Sequence, residues 1–165
     1  MNTTNEYDTQ AEKFLSDNGL KFRATLSDTK TAPWSNGDGE TGRHYRVTIS
    51  RDFREKNRPQ SISRSDWQKR MESAQGSVKS RLVFDFWGSI ADARKGIKTE
   101  RPYSVLASIS GEVHCPETFK DFCGEYGYES DSIKALQTFR RCSAFAKRLR
   151  AFFTEAELAQ LSEIQ

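Results

Sequence analysis

Three stretches of this chain alternate apolar and polar side chains: KFRATL at 21–26, RHYRVTIS at 43–50 and RLVFDFWG at 81–88. Successive side chains on a strand point to opposite faces, so alternation predicts strands with one covered side. Phe22, Ala24 and Leu26 share a face of the first, and Tyr45, Val47 and Ile49 share a face of the second. In the third, Leu82, Phe84 and Phe86 oppose Val83, Asp85 and Trp87, so both faces are substantially apolar. That places 81–88 at the centre of the sheet, or at its most buried position. The first two strands are joined by TAPWSNGDGETG (31–42), a loop whose strongest turn signals are Asn36-Gly37 and Asp38-Gly39. The expected sheet is a three-stranded antiparallel meander.

Helical spacing surrounds these strands. After a frayed segment at 1–7, Ala11, Phe14 and Leu15 predict a short amphipathic helix over 9–18, stopped by Asn18-Gly19. Beyond the strands, 91–95 reads as a turn, and Pro102 opens a helix carrying Tyr103, Leu106 and Ile109. Cys115-Pro116-Glu117 reads as another helix start, with Phe119, Phe122, Cys123 and Tyr126 on one stripe and Gly124 or Gly127 as its end. Ser130 or Asp131 caps a long helix from Ser132 to about Phe152. Thr154 and Glu157 then have the spacing of a capping box, opening a final helix with Leu158, Leu161 and Ile164 inside. The expected class is α+β: an N-terminal helix, the meander, and a helical C-terminal half packed on one face of the sheet. A chain of 165 residues suits one domain, 1–165, and eleven Phe supply large rings for a core although only 35% of residues are hydrophobic.

Between the second and third strands lies a long basic insertion, residues 52–80, with little periodic pattern. A short helix is expected near Asp66–Ser73, capped by Ser65. Loops of this length inside a compact domain are usually functional or disordered. Arg51, Arg54, Lys56, Arg58, Arg64, Lys69 and Arg70 are interleaved there with Phe53 and Trp67. Cations among aromatics are what single-stranded nucleic acid binding uses, the rings stacking on bases and the cations holding phosphates. The competing reading is a loop whose Phe and Trp pack back on the core.

The net charge of +3 conceals a block pattern. Residues 41–81 hold eleven Lys or Arg against four acids, while the first twenty residues and the tail after Thr154 are acidic. Such blocks steer an acidic partner, or serve solubility and helix dipoles. The long helix carries Ala135, Phe139, Cys142, Ala146, Leu149 and Phe153 on one face. Lys134, Arg141 and Arg148 lie on the opposite side, flanked by Arg140 and Lys147. That side is a candidate phosphate-binding surface or simply a solvated face whose last turn favours cations. No helix-turn-helix, paired aromatic strand motif or zinc finger supports sequence-specific nucleic-acid recognition.

Other chemistry finds little support. Cys115, Cys123 and Cys142 with His114 match no compact zinc spacing, and Cys123 and Cys142 fall on core stripes. Asp85 sits mid-strand with no acid-x-lysine companion and is expected to pair with a neighbouring strand cation such as Arg23 or Arg46, or to cap a backbone group. The glycines of GDGETG precede no helix, so a phosphate loop is not indicated. No catalytic residue, cofactor or metal is expected; the chain is read as acting by binding. With no export signal, no membrane-spanning apolar run and an odd cysteine count, the expected compartment is a reducing cytoplasm.

FDFWGSIADA (84–93), YSVLASISG (103–111), ETFKDFCGEYGYESDS and LQTFRRC (within 117–142), together with KFRATLSD and HYRVTIS, resemble a family of small proteins encoded in bacteriophage and prophage genomes. The resemblance covers most of the chain outside 52–80 and carries no catalytic or binding residue with it. It implies an accessory protein working inside a bacterial host. In that setting the expected function is a protein-binding inhibitor of a host nucleic-acid-guided defence complex, anti-CRISPR-like. Its contacts would be Arg51, Arg54, Lys56, Arg58, Arg64, Lys69 and Arg70, with Trp34 and Trp67 as aromatic anchors. The alternative is direct DNA or RNA binding in phage replication or recombination, using the insertion and the long helix.

Overall fold

The computed structural model describes residues 6–26, 34–35, 41–42, 44–74, 78–87 and 101–164. Helix α1 (Glu6–Asp17) leads into strand β1 (Leu20–Leu26). Two short strands, β2 (Trp34–Ser35) and β3 (Thr41–Gly42), pair with each other. Strand β4 (His44–Asp52) follows, then a 3₁₀ turn at Glu55–Asn57, helix α2 (Arg64–Ser73) and strand β5 (Lys79–Trp87). The C-terminal half holds helices α3 (Pro102–Glu112), α4 (Phe119–Tyr126), α5 (Ile133–Phe152) and α6 (Glu155–Leu161). The class is α+β, as expected. The turn signals at 36–39 and the turn at 91–95 lie outside the described residues.

The main sheet is antiparallel in the order β1-β4-β5, with Leu20 opposite Arg51, and His44 opposite Trp87. The centre is therefore β4 and not β5, which corrects the expectation drawn from the two apolar faces of 81–88. In a meander the strand that comes second in sequence pairs on both sides, whatever its neighbours' hydropathy. Tyr45, Val47 and Ile49 on β4 are entirely buried, while Asp85 on β5 is exposed. Helix α5 lies beside β5: Phe145 packs edge-on against Phe84 at 5.2 Å, and the Arg148 guanidinium donates to the Val83 carbonyl. Asp85 stands opposite Arg46 on β4, 3.7 Å from its guanidinium, as its position mid-strand predicted.

One core joins both halves of the chain. Phe14 and Leu15 of α1, Ala24 of β1, Ile49 of β4, Leu82 of β5, Leu106 of α3, Leu149 of α5 and Leu161 of α6 all contribute to it. Each of the Leu, Ile and Phe side chains among them is worth about 1.5–3 kcal/mol when taken out of water. Sequence-local signals set the helix ends. Thr154 accepts from the Glu157 amide while the Glu157 carboxylate accepts from the Thr154 amide, the capping box expected there. Ser132 caps α5 itself, and Gly127, with φ of 74°, ends α4. Three boundaries shift, the first being this Ser132 cap in place of the expected Ser130 or Asp131. Thr118 caps α4 in place of the Cys115-Pro116-Glu117 start, and Ser63, not Ser65, caps α2.

Candidate functional site

The basic insertion folds back onto the domain. Phe53, Ile62 and Trp67 form a small core of their own, with the Phe53 and Trp67 rings 4.9 Å apart and the Trp67 indole N–H donating to the Phe53 carbonyl at 2.8 Å. Gly19, at the end of α1, has a φ of 66°, and a Cβ there would come within 2.9 Å of the Trp67 ring. Glycine at that turn is required twice, once for backbone conformation and once for the close approach of Trp67. Trp67 is thus an internal anchor for 52–80, 3% exposed, and not the surface anchor expected of it. The side chain of Trp34, the other expected anchor, lies outside the described residues.

Most of the insertion's cations are already engaged. Arg51 is buried, ion-paired to Glu157, donating to the Phe152 carbonyl at 2.7 Å and lying over the rings of Phe53 and Phe152. That corrects its place in the expected contact surface, since so little of it reaches solvent. Arg70 reaches the same Glu157 at 3.5 Å and the Asn18 side-chain oxygen at 2.9 Å. Arg54 grips Asp52 at 2.5–3.0 Å, and its hydrogen bonds hold the Asp52 carboxyl well below the usual carboxylate range. Arg58 and Arg64 share Glu55 at 2.8 and 3.1 Å, and the Arg58 hydrogen bond lowers the Glu55 pKa. Lys56 and Lys69 are exposed without an ion pair among the described residues.

Helix α5 divides its cations differently. Arg148 is tied to β5 through Val83, and Arg150 donates to the Val113 carbonyl at 3.0 Å. Lys134, Arg140, Arg141 and Lys147 are exposed, with no ion pair among the described residues. Of the five expected phosphate-binding positions, four therefore stay available and Arg148 serves the fold.

Beside this face runs a groove that the sequence did not disclose. Its larger part, about 630 Å³, lies between β5, α3 and α5 and is lined by Arg141, Phe145 and Arg148 among others. A smaller cavity of about 340 Å³ continues it toward α4, and the two share Ser108, Glu112 and Cys142. Phe122 forms part of the floor, stacked on Tyr128 at 5.6 Å with the planes 14° apart and tilted against Tyr126 at 4.9 Å. Both tyrosines remain largely exposed. Burial raises the pKa values of the Cys115 and Cys142 thiols, and the nearby Glu112 carboxylate raises them further. The Tyr126 phenol is raised for the same reason, first by desolvation.

No family model, curated protein or solved structure matches this chain. Among the described residues, no group of three or more His, Cys, Asp or Glu could hold a metal ion, and no helix is long and apolar enough to cross a membrane. The cysteines are free thiols, with Cys115 and Cys123 buried. Gly111 also lines the smaller cavity. It sits in α3 with an ordinary φ, and a Cβ added there would meet nothing within 4 Å. A helical glycine without a steric reason is a local cost that folding does not explain.

Proposed function

We propose that this chain is a non-enzymatic binding protein that docks an acidic protein surface against the exposed face of α5. The observation that carries this reading is the division of labour among the cations. Those of the insertion and of the last turns of α5 are mostly consumed by internal partners, whereas Lys134, Arg140, Arg141 and Lys147 are exposed along one helix with no ion pair among the described residues. Unpaired cations on one face raise association rates with a complementary surface and fix its register. The resemblance to phage-encoded proteins supplies the setting, the bacterial cytoplasm. The partner we propose there is a host or phage protein complex, and specifically a nucleic-acid-guided defence complex that this chain would inhibit in anti-CRISPR-like fashion.

Capture from bacterial lysate with the wild type and with an Arg140→Glu/Arg141→Glu/Lys147→Glu variant tests the reading. A specific protein partner held by the first and lost by the second supports it. Equal recovery by both would sink it. Direct DNA or RNA binding is the second reading, favoured by the same four exposed cations together with the exposed Tyr126 and Tyr128 rings. Bare nucleic acid retained by the wild type, with affinity falling steeply as salt rises, would favour it over a protein partner.

A further inference from the structure

We propose that the 340 Å³ cavity between α3, α4 and α5 is an anchor pocket for an aromatic side chain carrying a hydrogen-bond donor, tryptophan or tyrosine, presented by an acidic segment of the protein partner. The proposal rests on the acidic-partner reading and specifies how that partner is gripped.

Size sets the first limit. The cavity lies near the lower end of ligand-binding volumes, room for one large side chain and not for an extended cofactor. Its walls set the second. Phe122, Tyr126 and Tyr128 supply ring faces and edges, and the two protonated thiols of Cys115 and Cys142 add apolar, polarisable surface. Ring pairs gain from offset or edge-on geometry at these separations. Tyr126 and Tyr128 are 53% and 44% exposed, a large apolar area left in water at the pocket mouth.

Charge selects among aromatic occupants. Glu112 is half-buried at the junction of the two cavities and forms no ion pair among the described residues, so an occupant with an N–H or O–H donor suits it better than a plain phenyl ring. Outside the pocket the signs reverse. Arg141 lines the adjoining part of the groove, and Lys134 and Arg140 stand exposed on the same helix. An aromatic residue flanked by acids therefore matches the pattern, with the ring inside and the carboxylates against α5. This is the arrangement of an interface hot spot, a buried ring surrounded by charges that guide and seal it.

Gly111 is the second, independent observation. It lines the cavity, and any side chain there would grow into open space. Helix propensity favours almost any other residue at that position, so a larger side chain can be introduced there to crowd the cavity without a clash at its Cβ.

The experiment uses a labelled peptide, acetyl-Asp-Glu-Trp-Glu-Asp-amide, its versions with Ala or Phe for Trp, and N-acetyltryptophanamide, with the intact protein. The Trp peptide is expected to bind at least tenfold tighter than the Ala peptide. Gly111→Leu should erase that advantage, leave the Ala peptide's affinity unchanged, and not lower the thermal midpoint. Thr138→Leu fills the same cavity from α5 and should act alike, which covers the case of one variant folding poorly. Arg141→Glu should weaken both peptides, and Glu112→Leu should abolish the preference for Trp over Phe. A Trp advantage that is absent, or that survives both filling variants, overturns the pocket while the Arg141 effect upholds the α5 reading. Should neither peptide bind, the acidic-partner reading fails. The pocket then stands only if N-acetyltryptophanamide shifts the Gly111 and Cys115 amide resonances of the wild type and not of Thr138→Leu, and falls otherwise.

Discussion

Arg51 and Glu157, 106 residues apart in the chain, form an ion pair from which solvent is excluded on both sides. Glu157 is also the N3 residue of the capping box of α6, so one carboxylate starts the last helix and ties it to the end of β4. Arg70 from α2 reaches the same carboxylate, and Asn18 links Arg70 to Gln160 on α6. The end of α1, the end of β4, the insertion and the C-terminal helix thus meet in a single buried polar network.

Breaking that pair by removing Arg51 leaves the buried Glu157 charge only the longer contact with Arg70, at 3.5 Å. Arg51→Met is expected to cost about 3–5 kcal/mol. The double variant Arg51→Met/Glu157→Gln should recover a substantial part of the loss. Chemical denaturation of the two single variants and the double variant measures the coupling.

Trp67 is expected to behave as a core residue. Trp67→Ala should lose about 3–5 kcal/mol through the cavity it leaves. Trp67→Phe should lose less because a ring still fills most of the space, its cost coming mainly from the indole donor that the Phe53 carbonyl loses. Thermal unfolding of both separates packing from the hydrogen bond.

Gly111→Ala should stabilise the protein. Alanine adds helix propensity of up to about 1 kcal/mol, and its Cβ meets no neighbour. For a chain of this size that is a rise of about 2–4 °C in thermal midpoint, read by calorimetry.

Acid should expose the Arg54–Asp52 contact. The Asp52 carboxyl is held well below its ordinary value of 3.8 by the Arg54 hydrogen bonds. A depressed folded-state pKa contributes stability that is present above the unfolded value and disappears as pH falls through the folded one. Carbon-detected titration should therefore place the Asp52 midpoint below 3.8, and Arg54→Ala should return it toward that value. The stability change at neutral pH should be small, because Arg54 is half exposed and solvent screens the pair.

The thiols of the groove should react slowly at neutral pH. Burial, then the Glu112 charge, raises both Cys115 and Cys142 above an ordinary 9.0, so little thiolate is present at pH 7.5. Iodoacetamide labelling followed by mass spectrometry should show slow modification that accelerates with pH. Glu112→Gln should speed both.

The sequence by itself determined the elements whose causes are local. Alternation gave the three strands because side-chain direction on a strand has a period of two, and Tyr45, Val47 and Ile49 are buried as that period requires. Thr154 and Glu157 are three residues apart, so their capping box needs no distant partner, and Gly127 ends α4 through its own backbone. Local pairs such as Arg54 with Asp52 and Arg58 with Glu55 lie within reach of the sequence, but only the tertiary structure decided that Arg51, Arg70 and Arg148 are engaged and where a cavity lies. Arg51 and Lys147 are alike as residues in a basic stretch. One is buried because β4 carries it inward to meet Glu157, and the other is exposed because it points off α5 toward solvent. The strand order was undecidable for a related reason: hydropathy reports how much apolar surface a strand has, not which neighbour covers it. The groove between α3, α4 and α5 likewise arises from the spacing of elements, a long-range property that no stretch of sequence encodes alone.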